Sequence, residues 1–163
     1  MVDVGDDAPV FEASIATDEV APFDLADHLG DGVVVLAFFP AAFTGTCTAE
    51  LCTFRDRLSR FEELDATVFG VSTDLPFALR EFRAQEALPF GLVGDPDHDA
   101  VAAYDVADDS FEGTGVETVA RRSVFVVGPE EEVQYRWLAD DPGQEPPYET
   151  VEEAVASATV DAA

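Results

Sequence analysis

Seven consecutive residues, Val33-Val34-Val35-Leu36-Ala37-Phe38-Phe39, carry no polar side chain and lie between Gly30, Gly32 and Pro40. A β-prone run of this kind, apolar at every position instead of every second one, predicts a central strand buried on both faces. Such a strand needs layers of structure above and below it. No repeat, low-complexity tract or linker divides the 163 residues, so one domain spanning 1–163 is expected.

The flanking pattern supplies those layers. Ala8 to Ile15 and Val20 to Leu25 read as strands of a leading hairpin. After the loop Ala41 to Thr46, Leu51, Phe54, Leu58, Phe61 and Leu64 recur at spacings of three and four, which predicts an amphipathic helix over residues 47–64. A strand over Thr67 to Ser72 follows. Asp74-Leu75-Pro76 then opens a helix to about Ala87, with Pro in the first turn, where its missing N–H is harmless. Pro89 to Val93 reads as a short strand and Asp97 to Tyr104 as a short helix. Ser123 to Val127 and Glu132 to Leu138 form a hairpin around Gly128-Pro129, and a last helix begins near Tyr148. The order predicts an α/β fold with a mixed central sheet, helices on both faces and an N-terminal β-hairpin. Within that class a thioredoxin-like arrangement fits best.

Charge narrows the partners. There are 35 acidic residues against 8 basic ones, a formal net charge of −27, and all the cations are Arg. The only local groupings are Arg55, Arg57 and Arg60, and the pair Arg121, Arg122. A nucleic-acid or anionic-membrane partner needs a basic face, so neither is expected. The opening residues lack a basic and then apolar leader, and Val33 to Phe43 falls short of the ~20 residues that span a bilayer. A cytoplasmic protein is expected, and a lysine-free acidic shell suits a halophilic interior, where screening at ~3 Å in 1 M salt suppresses self-repulsion. A merely acidic mesophilic protein is the alternative.

Chemistry concentrates in Pro40-Ala41-Ala42-Phe43-Thr44-Gly45-Thr46-Cys47-Thr48-Ala49-Glu50-Leu51-Cys52. Cys47 falls in the first turn of a helix that follows a buried strand, where ligands of open α/β sheets bind. The unpaired N–H groups and the positive end of the helix dipole favour a thiolate there. Cys47 also shares the apolar face of Leu51 and Phe54, so a buried core cysteine is the competing reading. On an ideal helix Cys52 is rotated ~140° from Cys47 with Cα atoms roughly 8 to 9 Å apart, too far for a disulfide unless the helix start unwinds. No Cys-x-x-Cys pair is present, and His28 and His98 are not at ligand spacing from the cysteines, so neither a metal nor another cofactor is expected.

Pro40, three residues, Thr44, two residues, Cys47 is similar to the active-site signature of the peroxiredoxin family. The spacing of Cys52 resembles the resolving cysteine of the bacterioferritin comigratory protein type, and Ala42-Phe43-Thr44-Gly45 resembles the alkyl hydroperoxide reductase E type. Ala8-Pro9-x-Phe11, Phe54-Arg55-Asp56, Gly70-Val71-Ser72 and Arg122-Ser123-Val124-Phe125-Val126 extend the likeness over most of the chain.

This resemblance implies a thiol-dependent peroxidase. Cys47 would be the peroxidatic nucleophile, Thr44 and the backbone N–H groups of the first turn would hold the peroxide, and Pro40 would shield the sulfur. Arg122 would stabilise charge on sulfur and on peroxide. Cys52 would resolve the sulfenic acid as a disulfide, and a thioredoxin-like dithiol would recycle it. A one-cysteine peroxidase and a peroxide-sensing relay are the alternatives, and a homodimer is among the assemblies such a protein adopts. Taken singly, Thr44 also fits a loop residue, Pro40 a strand terminator, and Arg121 competes with Arg122. Glu50, one turn after Cys47, reads as an orienter of an arginine or as a helix-surface charge.

Overall fold

The computed structural model describes residues 2–109, 111 and 113–161. Its main sheet has seven strands in the order β2 (Val20–Asp24), β1 (Glu12–Ala16), β5 (Leu92–Gly94), β4 (Ala66–Ser72), β3 (Val33–Phe38), β8 (Ser123–Val127) and β9 (Val133–Leu138). Strand β3 (Val33–Phe38) lies deep within it, parallel to β4 (Ala66–Ser72) and antiparallel to β8 (Ser123–Val127). The apolar run thus occupies the place its composition predicts, and its side chains divide by parity. Val33, Val35, Ala37 and Phe39 enter a core with helices α1 (Gly45–Glu63), α2 (Pro76–Gln85) and α4 (Tyr148–Asp161). Val34, Leu36 and Phe38 enter a second core with α3 (Asp99–Tyr104), Phe11 and Leu25. Each fully buried Phe or Leu contributes roughly 1.5 to 3 kcal/mol by leaving water, so both faces of the strand are stabilised.

The leading hairpin is present as β1 (Glu12–Ala16) and β2 (Val20–Asp24), paired antiparallel with Glu12 opposite Asp24. Its first strand begins later than Ala8 because the preceding segment pairs elsewhere. Gly5 N–H and Ala8 N–H donate to Val133 O and Glu131 O, and Pro9 has no N–H to give. A 3-10 turn over Leu25–His28 follows β2. Strand β5 (Leu92–Gly94) starts three residues past Pro89. Helix α3 starts two residues after the predicted Asp97, since buried Asp95 caps it by accepting from Ala100 N–H and Val101 N–H, each at 3.0 Å.

The terminal hairpin joins β8 to β9 (Val133–Leu138), with a register shift at Val126/Val127. Two short strands that the pattern did not predict, β6 (Ala107–Asp108) and β7 (Val119–Ala120), form a separate antiparallel pair. Helix α1 begins two residues before Cys47, which places that cysteine inside its first turn. Gly70 of β4 makes the packing beneath α1 possible: a Cβ there would stand 2.8 Å from Leu92 and 3.4 Å from Leu51. No helix among the described residues is long and apolar enough to cross a membrane.

Candidate active site

Strand β3 ends at Phe38, and Phe39 N–H still bonds Val71 O at 2.9 Å before buried Pro40 ends the ladder. The chain then crosses to α1 in a few residues. Thr44 occupies the N-cap position with extended backbone, yet its hydroxyl makes no cap bond and donates to Ala41 O at 2.8 Å. That leaves the lone pairs of the oxygen free to accept. Thr44 O accepts from both Thr48 N–H and Thr48 Oγ. The first N–H groups of α1 have no acceptor one turn earlier in the helix, and no acidic residue sits in that turn to compete for them.

Cys47 is 1% exposed, with its sulfur facing the short link between β7 and β8. There Arg122, 2% exposed, donates from Nη2 to Cys47 Sγ at 3.3 Å. The same guanidinium donates from Nη1 to Glu50 Oε1 at 2.6 Å, and from Nε and Nη2 to Pro142 O at 3.3 and 2.7 Å. Four hydrogen bonds to three partners from one planar fork show the property that separates Arg from Lys. Burial works against the Arg122 charge, but the adjacent Glu50 and Cys47 outweigh it and hold the group protonated. Burial outweighs the pull of Arg122 and leaves the Glu50 carboxyl raised to about 7. Among the described residues its second oxygen, Oε2, is buried without a hydrogen-bond partner.

Cys47 and Arg122 form the floor of a cavity of about 490 Å³. Pro40, Ala41, Thr44 and Gly45 line one side, and Phe111, Val116, Val119 and Pro142 the other. The structure therefore brings Pro40, Thr44, Cys47 and Arg122 to one place. Arg121 turns away and donates to Ala139 O at 2.8 Å, so Arg122 alone of the pair meets the sulfur. Cys52 stands apart. It is half-buried, reduced, and donates from Sγ to Glu86 Oε2 at 3.5 Å. Burial and Glu86 push its thiol up, against the pull of Arg55.

Of the two readings of Glu50, full burial against Arg122 removes the helix-surface charge and leaves the partner of an arginine. The signal was its position three residues after Cys47, on the apolar side that Leu51 and Phe54 share. Among the described residues no group of three or more His, Cys, Asp or Glu could hold a metal ion.

A buried cysteine at a helix start, held against an arginine under an open cavity on a thioredoxin-like sheet, defines a thiol-chemistry site. Comparison with known proteins identifies the class. The AhpC/TSA family model matches residues 4–136. The chain is 34% identical over 140 residues to peroxiredoxin Bcp of Bacillus subtilis, covering 83% of this chain and 85% of that protein. To peroxiredoxin Bcp of Escherichia coli it is 33% identical over 123 residues, covering 75% and 77%. Among solved structures, peroxidoxin BcpB from Mycobacterium tuberculosis superposes with a TM-score of 0.80 at 27% identity, over 98% of each chain. A Cys-to-Ser mutant of peroxiredoxin 6 from Arenicola marina matches in fold, with a TM-score of 0.88 at 18% identity over 99% of this chain and 76% of that one. The chain belongs to the AhpC/TSA family of peroxiredoxins, which makes it a thiol-dependent peroxidase.

Proposed function

We propose that this chain acts as a single unit that reduces hydrogen peroxide and organic hydroperoxides, with Cys47 as the attacking sulfur. The thiolate attacks one peroxide oxygen, the O–O bond breaks, and the other oxygen leaves as hydroxide or alkoxide and takes up a proton. Cys47 becomes a sulfenic acid. Negative charge leaves sulfur and grows on the departing oxygen, so a fixed cation and first-turn N–H donors beside both atoms lower the barrier. Arg122 supplies the cation and Thr44 aligns the peroxide, while Pro40 keeps bulk water from the sulfur. The observation that carries this reading is the 3.3 Å contact of Arg122 Nη2 with Cys47 Sγ on the cavity floor.

In the second half of the cycle Cys52 attacks the Cys47 sulfenic sulfur, water leaves, and a disulfide forms. An external dithiol of the thioredoxin type then reduces it. The first turn of α1 must unwind for this, because Cys52 lies against Glu86 in the reduced chain. Mass spectrometry after one equivalent of peroxide reads the outcome. Loss of two hydrogens supports a Cys47–Cys52 disulfide, whereas gain of one oxygen that persists would replace this reading with a one-cysteine peroxidase. Steady turnover with a thioredoxin system supports an enzyme, and slow stoichiometric oxidation would replace it with a sensor.

A further inference from the structure

The loop that delivers Thr44 and the start of α1 contains a constrained residue. Phe43 adopts φ 66°, the left-handed region, which a bulky L-residue holds only when its surroundings impose it. One constraint is its ring, which stands edge-on to Phe82 of α2 with centroids 5.1 Å apart. The other lies one residue earlier, where Ala42 N–H donates to Asp74 Oδ2 at 2.8 Å. That same oxygen accepts from Ser72 Oγ at 2.8 Å, and Ser72 Oγ accepts from Asp74 N–H at 3.2 Å. Ser72 is fully buried at the end of β4, and its carbonyl accepts from Asp95 N–H at 2.8 Å. The carboxylate that reaches the loop is therefore itself anchored to the sheet.

We propose that Asp74 is a positioning residue of the peroxide site, holding Ala42 N–H so that the Pro40–Thr44 loop keeps the shape that receives peroxide. The inference rests on the peroxidase reading above. Asp74 does not line the cavity, so it acts through the backbone it holds. Without this acceptor Ala42 N–H turns to water, Phe43 relaxes out of its left-handed conformation, and the Thr44 bond to Ala41 O loses its frame. Release of the loop is also a first movement toward unwinding the turn that separates Cys47 from Cys52.

The test compares the reduced full-length chain with Asp74→Asn and Asp74→Ala by two measurements: stopped-flow oxidation by hydrogen peroxide, and amide hydrogen exchange. Asp74→Ala should slow the first oxidation by about tenfold or more, the scale on which small misplacements act at reacting centres. Exchange should accelerate at residues 41–48 but not in β3 or β4. Asp74→Asn, whose side-chain carbonyl still accepts both donors, should restore both readouts nearly to the parent values. Equal losses in Asn and Ala, oxidation of Asp74→Ala at the parent rate, or exchange that rises across the whole sheet would overturn the proposal. If Asp74→Ala does not fold, Ser72→Ala loosens the same carboxylate and should give the local exchange change; its absence overturns the proposal equally. A parent chain that consumes no peroxide defeats the peroxidase reading instead, while the exchange comparison still reads the loop.

Discussion

The two cysteines of α1 lie five positions apart and meet opposite electrostatics. Cys47 is buried against a guanidinium, whereas Cys52 is half-buried against a carboxylate. A cation stabilises negative charge on sulfur and an anion opposes it, so one helix carries two thiols in contrasting surroundings. The difference comes from the neighbours, since both residues share the same helix and the same solvent-facing shell of acids. Cys47 looks toward the β7–β8 link and the loop before α4, and Cys52 looks toward the end of α2.

Four experiments press on this contrast. The largest effect belongs to Cys47→Ser, which should reduce hydroperoxide consumption to the uncatalysed background, because a hydroxyl lacks the nucleophilicity of a thiolate. Cys52→Ser should leave the first oxidation unchanged in the same assay. Next, Arg122→Lys should lower the first-oxidation rate constant by about 10²-fold, since an ammonium cannot serve Cys47, Glu50 and Pro142 together; a rate within twofold of the parent would dissolve the contrast.

The third concerns pH. Glu50 is raised from 4.5 to about 7, so below that pH it carries a proton and the Arg122 charge falls mainly on sulfur. Above it the ionised carboxylate competes for the same guanidinium. The first-oxidation rate per thiolate should therefore fall as pH rises through about 7 in the parent and stay flat in Glu50→Gln. The same shift means that the folded chain binds this proton more tightly than the unfolded one. The Glu50 contribution to stability is accordingly present at low pH and lost as pH rises from 4.5 through about 7. Denaturant titrations of parent and Glu50→Gln across that window check the sign.

The smallest effect is at Cys52. Glu86→Gln removes an anion that holds this thiol up, so alkylation of Cys52 at fixed alkaline pH should accelerate by less than about tenfold. Molar salt should produce a smaller change in the parent, because it screens the pull of Arg55 along with the push of Glu86. If the shell of acids is an adaptation to such salt, fold and activity should weaken together when it is removed. A chain equally stable and active in dilute buffer would end the halophile expectation and leave the thiol contrast intact.

What could be read beforehand follows the strength of each local pattern. The β3 run, the spacing of Leu51, Phe54, Leu58 and Phe61, and the Pro40, Thr44, Cys47 signature each impose a geometry within a short window, so strand, helix and the buried cysteine at the helix start were legible. Arg122 was legible through its family spacing alone, because its approach to Cys47 depends on β3 and β8 being neighbours. Strands β6 and β7 are two residues each, too short to show any alternation. The cavity wall of Phe111, Val116 and Val119 comes from the same patternless stretch. Between the two readings of Glu50 the sequence could not choose, because carboxylates are seldom fully buried and only the tertiary partner Arg122 explains why this one is. Asp74 looked like a helix opener, and its bond to Ala42 spans 32 positions of sequence.

The parity of β3 carries a last consequence. Alternate side chains of one strand belong to different cores, so neither core has a boundary at which it could melt alone. Cys47 packs in the core with Val33, Val35 and Ala37, and Leu36 and Phe38 fill the other. Damage on the face remote from the sulfur is thus transmitted through a shared backbone, and the two hydrophobic layers should behave as one cooperative unit. The candidate site at the end of this strand is thereby braced by residues, Leu36 and Phe38 among them, that line no part of its cavity.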